Sequence, residues 1–202
     1  RQDCHVGLLW TSSVGEMGFE PSEVVSFSKL LDDPRIDFIW TGEPSLAGVR
    51  PKTFYAPYPV NVEDHRNDTI AKTDSMTLFC PATLKKNISN QLLAAHMVQQ
   101  RTGLVLHTNV PQDAAWHAIA PVRSRRYSWL PQEHYDQVLL RSRLNFAVSY
   151  AETFNYQAAE PIMRGAPCVA SPTIPFLNRK GQSVVQDVND PVEIARLGEL
   201  LL

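Results

Sequence analysis

Residues 149–171, SYAETFNYQAAEPIMRGAPCVAS, together with the apolar run just before them, leave few folds open to this chain. Residues 144–148 and 167–170 each read as a short buried strand. Between them Tyr156, Ala159, Ile162 and Met163 recur at steps of three and four, the spacing of one helical face. Gly165 stops that helix and Pro167 keeps it from resuming. Strand, loop, helix and strand in this order make a crossover unit of a parallel sheet. Glu152 then falls in the loop at the C-terminal end of a strand. Glu160, eight positions on, is expected about two turns into the helix. Ligands of open α/β sheets bind just beyond those strand ends. The backbone N–H groups of Thr153, Phe154 and Asn155, with those of the first helical turn, suit an anion such as a diphosphate.

The rest of the chain repeats the alternation. Strands are expected at residues 5–10, 36–40, 53–55, 76–80, 104–107 and 126–130, with a late strand or turn at 184–188. Helices are expected at 21–31, 88–101, 113–119, 134–140 and 191–202. Ile88, Leu92, Ala95 and either Val98 or Gln99 form the inward face of the second of these, which Gly103 ends. Residues 11–18, small, polar and glycine-bearing, read as a loop in which Ser12 and Glu16 are the reactive side chains. The polar run 63–74 marks a boundary between two halves. Strands alternating with helices mean a doubly wound, largely parallel sheet.

Composition excludes several functions. With 44% apolar and 20% charged residues the chain is an ordinary globular one, and a net charge of −2 argues against a nucleic-acid surface. The one dense basic spot, Arg123, Arg125 and Arg126, reads as a solvated loop. No apolar run approaches the ~20 residues that span a bilayer. Cys80 and Cys168 read as buried thiols with no ligand spacing to histidine, so neither zinc nor a disulfide framework is indicated, and a reducing, cytoplasmic interior is expected. The Asn-x-Ser/Thr matches at Asn67 and Asn87 are then chance. The start at Arg1 suggests a processed chain or a piece of a longer one. Glycine-rich dinucleotide, Walker and nucleophile-elbow motifs are all missing, which removes the commoner dehydrogenase, NTPase and hydrolase readings.

The 149–171 stretch resembles the Glu-x7-Glu signature of GT-B glycosyltransferases in the retaining family-four group. Glu152, Phe154, Glu160, Gly165, Pro167 and Val169 fall on that pattern, while Thr153 and Asn155 stand where two turn glycines are usual. Asparagine tolerates the left-handed geometry such a turn asks for. The resemblance implies two parallel α/β halves: a reduced acceptor-side segment (1–62), a linker (63–74) and a Rossmann-like nucleotide-sugar domain (75–202). Full GT-B enzymes are nearly twice as long, so the first segment is either a shrunken acceptor domain or the tail of one. The implied activity is transfer of a hexosyl or deoxyhexosyl group, from a UDP-sugar by preference, to a glycan or other hydroxyl acceptor, without metal or cofactor.

Under that resemblance Glu160 clamps the ribose, since a carboxylate accepts from two vicinal hydroxyls, and Glu152 contacts the donor sugar. Thr153, Phe154 and Asn155 line the donor. Lys86 meets the departing diphosphate from a loop opening a helix. The arginine usual in that loop is absent, so either Lys85 substitutes for it or the site carries less positive charge. His107, at a strand end, is placed to touch a sugar hydroxyl or act as a base. Leu130, between Trp129 and Pro131, lies at the depth where such enzymes hold the nucleobase. The plainer alternatives are solvated carboxylates, a solvent-facing lysine pair, a satisfied histidine and a packed core tryptophan. A module of this fold that has lost catalysis, or a sugar-nucleotide epimerase, are the rival functions.

Overall fold

The computed structural model describes residues 5–59, 70–111, 114–152, 154–174, 177 and 183–202. Two compact units emerge, one of Arg1–Pro59 with Ala151–Phe154 and Ile174–Phe176, the other of the remaining segments. The 63–74 boundary lies largely outside the described residues.

The first unit carries three parallel strands, β1 (Gly7–Trp10), β2 (Phe38–Thr41) and β3 (Thr53–Tyr55), in the order β1-β2-β3. Leu9 pairs with Trp40, and Trp40 with Phe54. Helices α1 (Val14–Phe19) and α2 (Pro21–Asp32) connect β1 to β2. Met17, Phe27, Ile36, Ile39 and Leu46 are the buried core, and the rings of Trp10 and Phe27 lie 5.0 Å apart. Residues 11–18 are not simply a loop, as their glycines suggested. Ser13 and Glu16 form a capping box: the Glu16 N–H donates to Ser13 Oγ at 3.1 Å and the Ser13 N–H donates to the Glu16 carboxylate at 3.0 Å. Two orphan N–H groups satisfied reciprocally start α1 despite Gly15 and Gly18.

The second unit is a five-stranded parallel sheet of β4 (Thr73–Leu78), β5 (Val105–Thr108), β6 (Ser124–Arg126), β7 (Ser142–Ala147) and β8 (Cys168–Ala170). Its order is β6-β5-β4-β7-β8, so the winding direction reverses between β4 and β7, the place where such sheets open a ligand crevice. Helices α3 (Ile88–Thr102), α4 (Ala114–Ile119), α5 (Gln132–Arg141), α6 (Tyr156–Met163) and α7 (Pro191–Leu200) make the crossovers and the closing layer. The strand expected at 126–130 is β6, three residues earlier at its centre: residues 127–130 leave the sheet as a loop. The late element at 184–188 is a single parallel bridge of Val184 to Ala170.

Met76, Leu78, Leu106, Leu144, Phe146 and Val169 point from the sheet into a core shared with Leu92, Ala95 and Val98 of α3 and Ile194 of α7. Each large apolar side chain fully buried there stabilises by about 1.5–3 kcal/mol. Close packing of α7 needs Gly198: a Cβ there would lie 2.9 Å from Leu144 Cδ2 and 3.6 Å from Val98 Cγ2. Gly103 (φ 72°) and Gly165 (φ 74°) end α3 and α6 in left-handed geometry. Cys80 and Cys168 are buried.

Candidate functional site

At the reversal point the chain is tied together by one buried amide. Gln91, on the second turn of α3 and 1% exposed, donates from Nε2 to the Lys86 carbonyl at 2.7 Å and accepts at Oε1 from the Val148 N–H at 2.8 Å. The loop after β4 is thereby joined to the end of β7. A second link runs from the Tyr150 N–H to the Lys85 carbonyl at 2.8 Å. Lys85 and Lys86 sit in a single 3-10 turn, Leu84–Lys86, followed by Asn87 at φ 50°, ψ 41°. Asn87 pays for this left-handed geometry with its amide, which donates to the Val188 carbonyl at 2.6 Å and accepts from Asn90 at 2.8 Å. Both lysines are half-buried, and their backbone is held from two sides.

Past the strand ends lies a cavity of about 230 Å³ lined by Phe79, Asn109, Ser128, Trp129, Leu130 and Gln157, with Tyr127 and Tyr135. Phe79 and Asn109 follow β4 and β5 directly, residues 127–130 follow β6, Tyr135 is on α5 and Gln157 opens α6. The rings of Phe79 and Tyr135 meet edge to face at 5.4 Å, and Tyr127 lies 6.1 Å from Phe79. Asn109 Oδ1 accepts from the Cys80 N–H at 2.9 Å, which fixes the rim between β4 and β5. Trp129 is 76% exposed, so it is a cavity edge and not a core residue.

Glu160 is the fifth residue of α6, since that helix begins only at Tyr156. It therefore stands little more than one turn from the helix start, not two, because only four residues of α6 precede it. Glu160 neighbours Tyr135, Asp136 and Arg164. Burial, then the Asp136 charge, raises its pKa above the usual carboxylate value, against the opposing pull of Arg164 and the Tyr135 hydroxyl. One carboxylate oxygen is buried without a hydrogen-bond partner. Arg164 in turn pairs with Asp136 at 3.3 Å. Glu160 does not line the cavity itself; Tyr135, which adjoins it, does.

Glu152 is buried, 5% exposed, and belongs with Ala151 and Phe154 to the first unit. There the Phe154 ring lies 5.5 Å from that of Tyr58. Thr153 lies outside the described residues. Asn155 is the N-terminal boundary residue of α6 and is buried; its φ of −102° is not left-handed, so this turn does not use the freedom for which glycine is favoured. Glu16 is committed to the capping box. His107 lines a second cavity, on the sheet face beside α5, where its Nδ1 is 3.0 Å from the Tyr127 hydroxyl. Leu130 borders both cavities.

The sequence pattern did not single out Phe79, Asn109, Ser128, Tyr135 or Gln157. Four of them had a readable signal: Phe79, Asn109 and Ser128 fall just beyond strands, and Gln157 at a helix start, where parallel sheets place their ligand contacts. Tyr135 had none, because its role depends on where α5 packs.

No protein-family model matches the chain, and no curated protein matches it in sequence. Solved structures do match in fold. S. aureus TarM, in a structure with Fondaparinux, alpha-GlcNAc-glycerol and UDP, aligns with a TM-score of 0.66 at 11% identity, over 99% of this chain and 47% of that one. An alpha,alpha-trehalose-phosphate synthase (UDP-forming) from Burkholderia vietnamiensis aligns at 0.64 and 9%, over 98% and 60%. An E. coli structure described as trehalose-6-phosphate bound with UDP-2-fluoro glucose aligns at 0.65 and 10%, over 96% and 59%. The chain thus spans about half to three fifths of the length of these neighbours. No helix among the described residues is long and apolar enough to cross a membrane. In fold, the chain is an α/β protein of parallel sheets flanked by helices that matches GT-B glycosyltransferases.

Proposed function

We propose that this chain is the donor-side part of a glycosyltransferase that takes a sugar from a nucleotide carrier, UDP by preference, and passes it to a hydroxyl acceptor. One observation carries the reading: an aromatic cavity of about 230 Å³ at the C-terminal strand ends, beside the β4/β7 reversal, in a fold matched by UDP-binding glycosyltransferases. Phe79, Tyr127 and Trp129 offer ring faces and edges to a base, and Ser128 and Gln157 offer hydrogen bonds. Glu160, which adjoins Tyr135 of the cavity wall, is the proposed acceptor of ribose hydroxyls.

Lys86, assisted by Lys85, meets the charge that develops on the departing diphosphate, and the first turns of α3 and α6 add aligned N–H dipoles. A cation fixed in place before the reaction costs no reorganisation as the leaving group forms, which is the reason for tying its loop to Gln91. This set of donors makes the proposed transfer metal-independent. Glu152, Thr153, Phe154 and Asn155 are the proposed donor-sugar loop. The acceptor is a glycan or other polyol.

Titration of UDP into the chain by calorimetry tests the reading. UDP is expected to bind, and Glu160→Gln to weaken it about tenfold by loss of a charge-assisted hydrogen bond. Lys86→Ala is expected to lower turnover of a UDP-sugar more than it lowers donor affinity. A chain that binds no nucleoside diphosphate sinks the proposal.

A further inference from the structure

The second cavity, about 340 Å³, lies on the face of the β4–β6 sheet that α5 crosses. Its polar wall comes from Thr73 and Ser75 of β4, His107 of β5, Arg125 of β6, and His134 and Arg141 of α5. The other contributions include the Tyr127 ring, Leu130 and Val138, so an apolar floor lies beside a cationic wall. No aspartate or glutamate lines it. Three other arginines of this unit meet a carboxylate, Arg101 with Glu199 at 2.6 Å, Arg143 with Asp74 at 3.4 Å and Arg164 with Asp136 at 3.3 Å, while Arg123 donates to the Gly103 carbonyl. Arg125 and Arg141 meet none among the described residues. Arg125 lies over the Tyr127 ring, 5.5 Å from its centroid, and Arg141 donates only to the neutral Gln137 at 3.1 Å.

Two uncompensated guanidiniums and two imidazoles around one concavity make a positive potential that selects anions, and guanidinium geometry suits phosphate. The volume is within the range of small-molecule sites. His107 reports that potential: its pKa is lowered, first by burial and then by the Arg125 charge.

We propose that this groove binds a small organic phosphate, its phosphoryl group held by Arg125 and Arg141 and its apolar or aromatic body lying on Tyr127, Leu130 and Val138. The groove shares Tyr127 and Leu130 with the strand-end cavity, but its two arginines line only the groove, and the proposal does not rest on the transferase activity.

The test is titration of phenyl phosphate, inorganic phosphate and phenol into the 202-residue chain, by calorimetry and by proton NMR of the imidazoles. Phenyl phosphate is expected to bind about tenfold or more tightly than inorganic phosphate, because the ring buries apolar surface, and phenol is expected not to compete. The His107 midpoint is expected to rise on binding, as the anion offsets Arg125. Arg125→Gln with Arg141→Gln is expected to weaken phenyl phosphate about a hundredfold, one factor of ten per charged donor, and to leave UDP affinity unchanged. Both side chains are exposed, so the fold does not depend on them. Should the double variant nevertheless fail to fold, Arg125→Lys decides: it keeps the charge, loses the fork, and is expected to bind several-fold more weakly. Unchanged affinity in whichever variant folds overturns the proposal. Displacement of phenyl phosphate by UDP that is equally strong in the double variant also overturns it, since the anion would then belong to the strand-end cavity.

Discussion

Replacing Gln91 by leucine removes the tie between the two central crossovers without opening a cavity of consequence. The leucine fits the volume but neither donates to the Lys86 carbonyl nor accepts from the Val148 N–H, bonds of 2.7 and 2.8 Å in the native chain. Val148 is fully buried, so its N–H loses its partner with no water to replace it, which costs about 1–3 kcal/mol, and the lost bond to Lys86 adds about 1 kcal/mol. Apolar burial of the leucine returns roughly 1 kcal/mol. The net loss is about 2 kcal/mol, a large share of a typical 5–15 kcal/mol. Urea unfolding should show it as a lower midpoint at unchanged slope, and heating as a Tm lower by about 4–8 °C. The same variant should bind UDP more weakly, because the Lys85–Lys86 turn is no longer anchored from α3. A leucine variant within about 0.5 kcal/mol of the native chain, the range of an inconsequential surface change, would refute the idea that this amide is structural.

Three further perturbations follow from the same geometry. Gly198→Val should destabilise by about 1–3 kcal/mol in urea unfolding, because a Cβ there already lies 2.9 Å from Leu144; an unaffected midpoint would mean that α7 moves aside freely. Asn87 is 2% exposed and its amide donates to Val188, so expression in a glycosylating host should leave residue 87 unmodified in a peptide mass spectrum, and a glycan there would contradict the loop geometry. Glu160 holds its proton more tightly folded than unfolded, so it contributes a stability that declines as pH rises from about 4, the ordinary value for Glu, through the raised folded value. The difference in stability between Glu160→Gln and the native chain should therefore move in favour of the variant between pH 4 and 7, and a pH-independent difference would refute the burial argument.

Local pattern was enough for the pieces. The face Ile88, Leu92, Ala95 and Val98 and the stop at Gly103 located α3 to within a residue of its observed end, and residues 53–55 are a strand as expected. The unit around Glu152 and Glu160 was equally legible as strand, loop and helix, because periodicity, Gly165 and Pro167 act over a few residues. The errors also have local causes. The Ser13–Glu16 capping box outweighed the glycines of α1, and Glu160 lies nearly a turn closer to the helix start than expected, because α6 begins at Tyr156 and the eight-residue spacing from Glu152 is not all helical.

What tertiary structure alone decided is which pieces become neighbours. The order β6-β5-β4-β7-β8, and with it the reversal beside β4 and β7, comes from pairings such as Met76 with Leu144, sixty-eight residues apart. The aromatic cavity, the Gln91 bridge and the cationic groove each join segments distant in the chain. Hydrophobic periodicity records which face of a strand or helix is buried, but burial is non-directional and names no partner. The sequence therefore determined the elements and their inward faces, while side-chain packing and buried hydrogen bonds, satisfied only in one arrangement, determined the site.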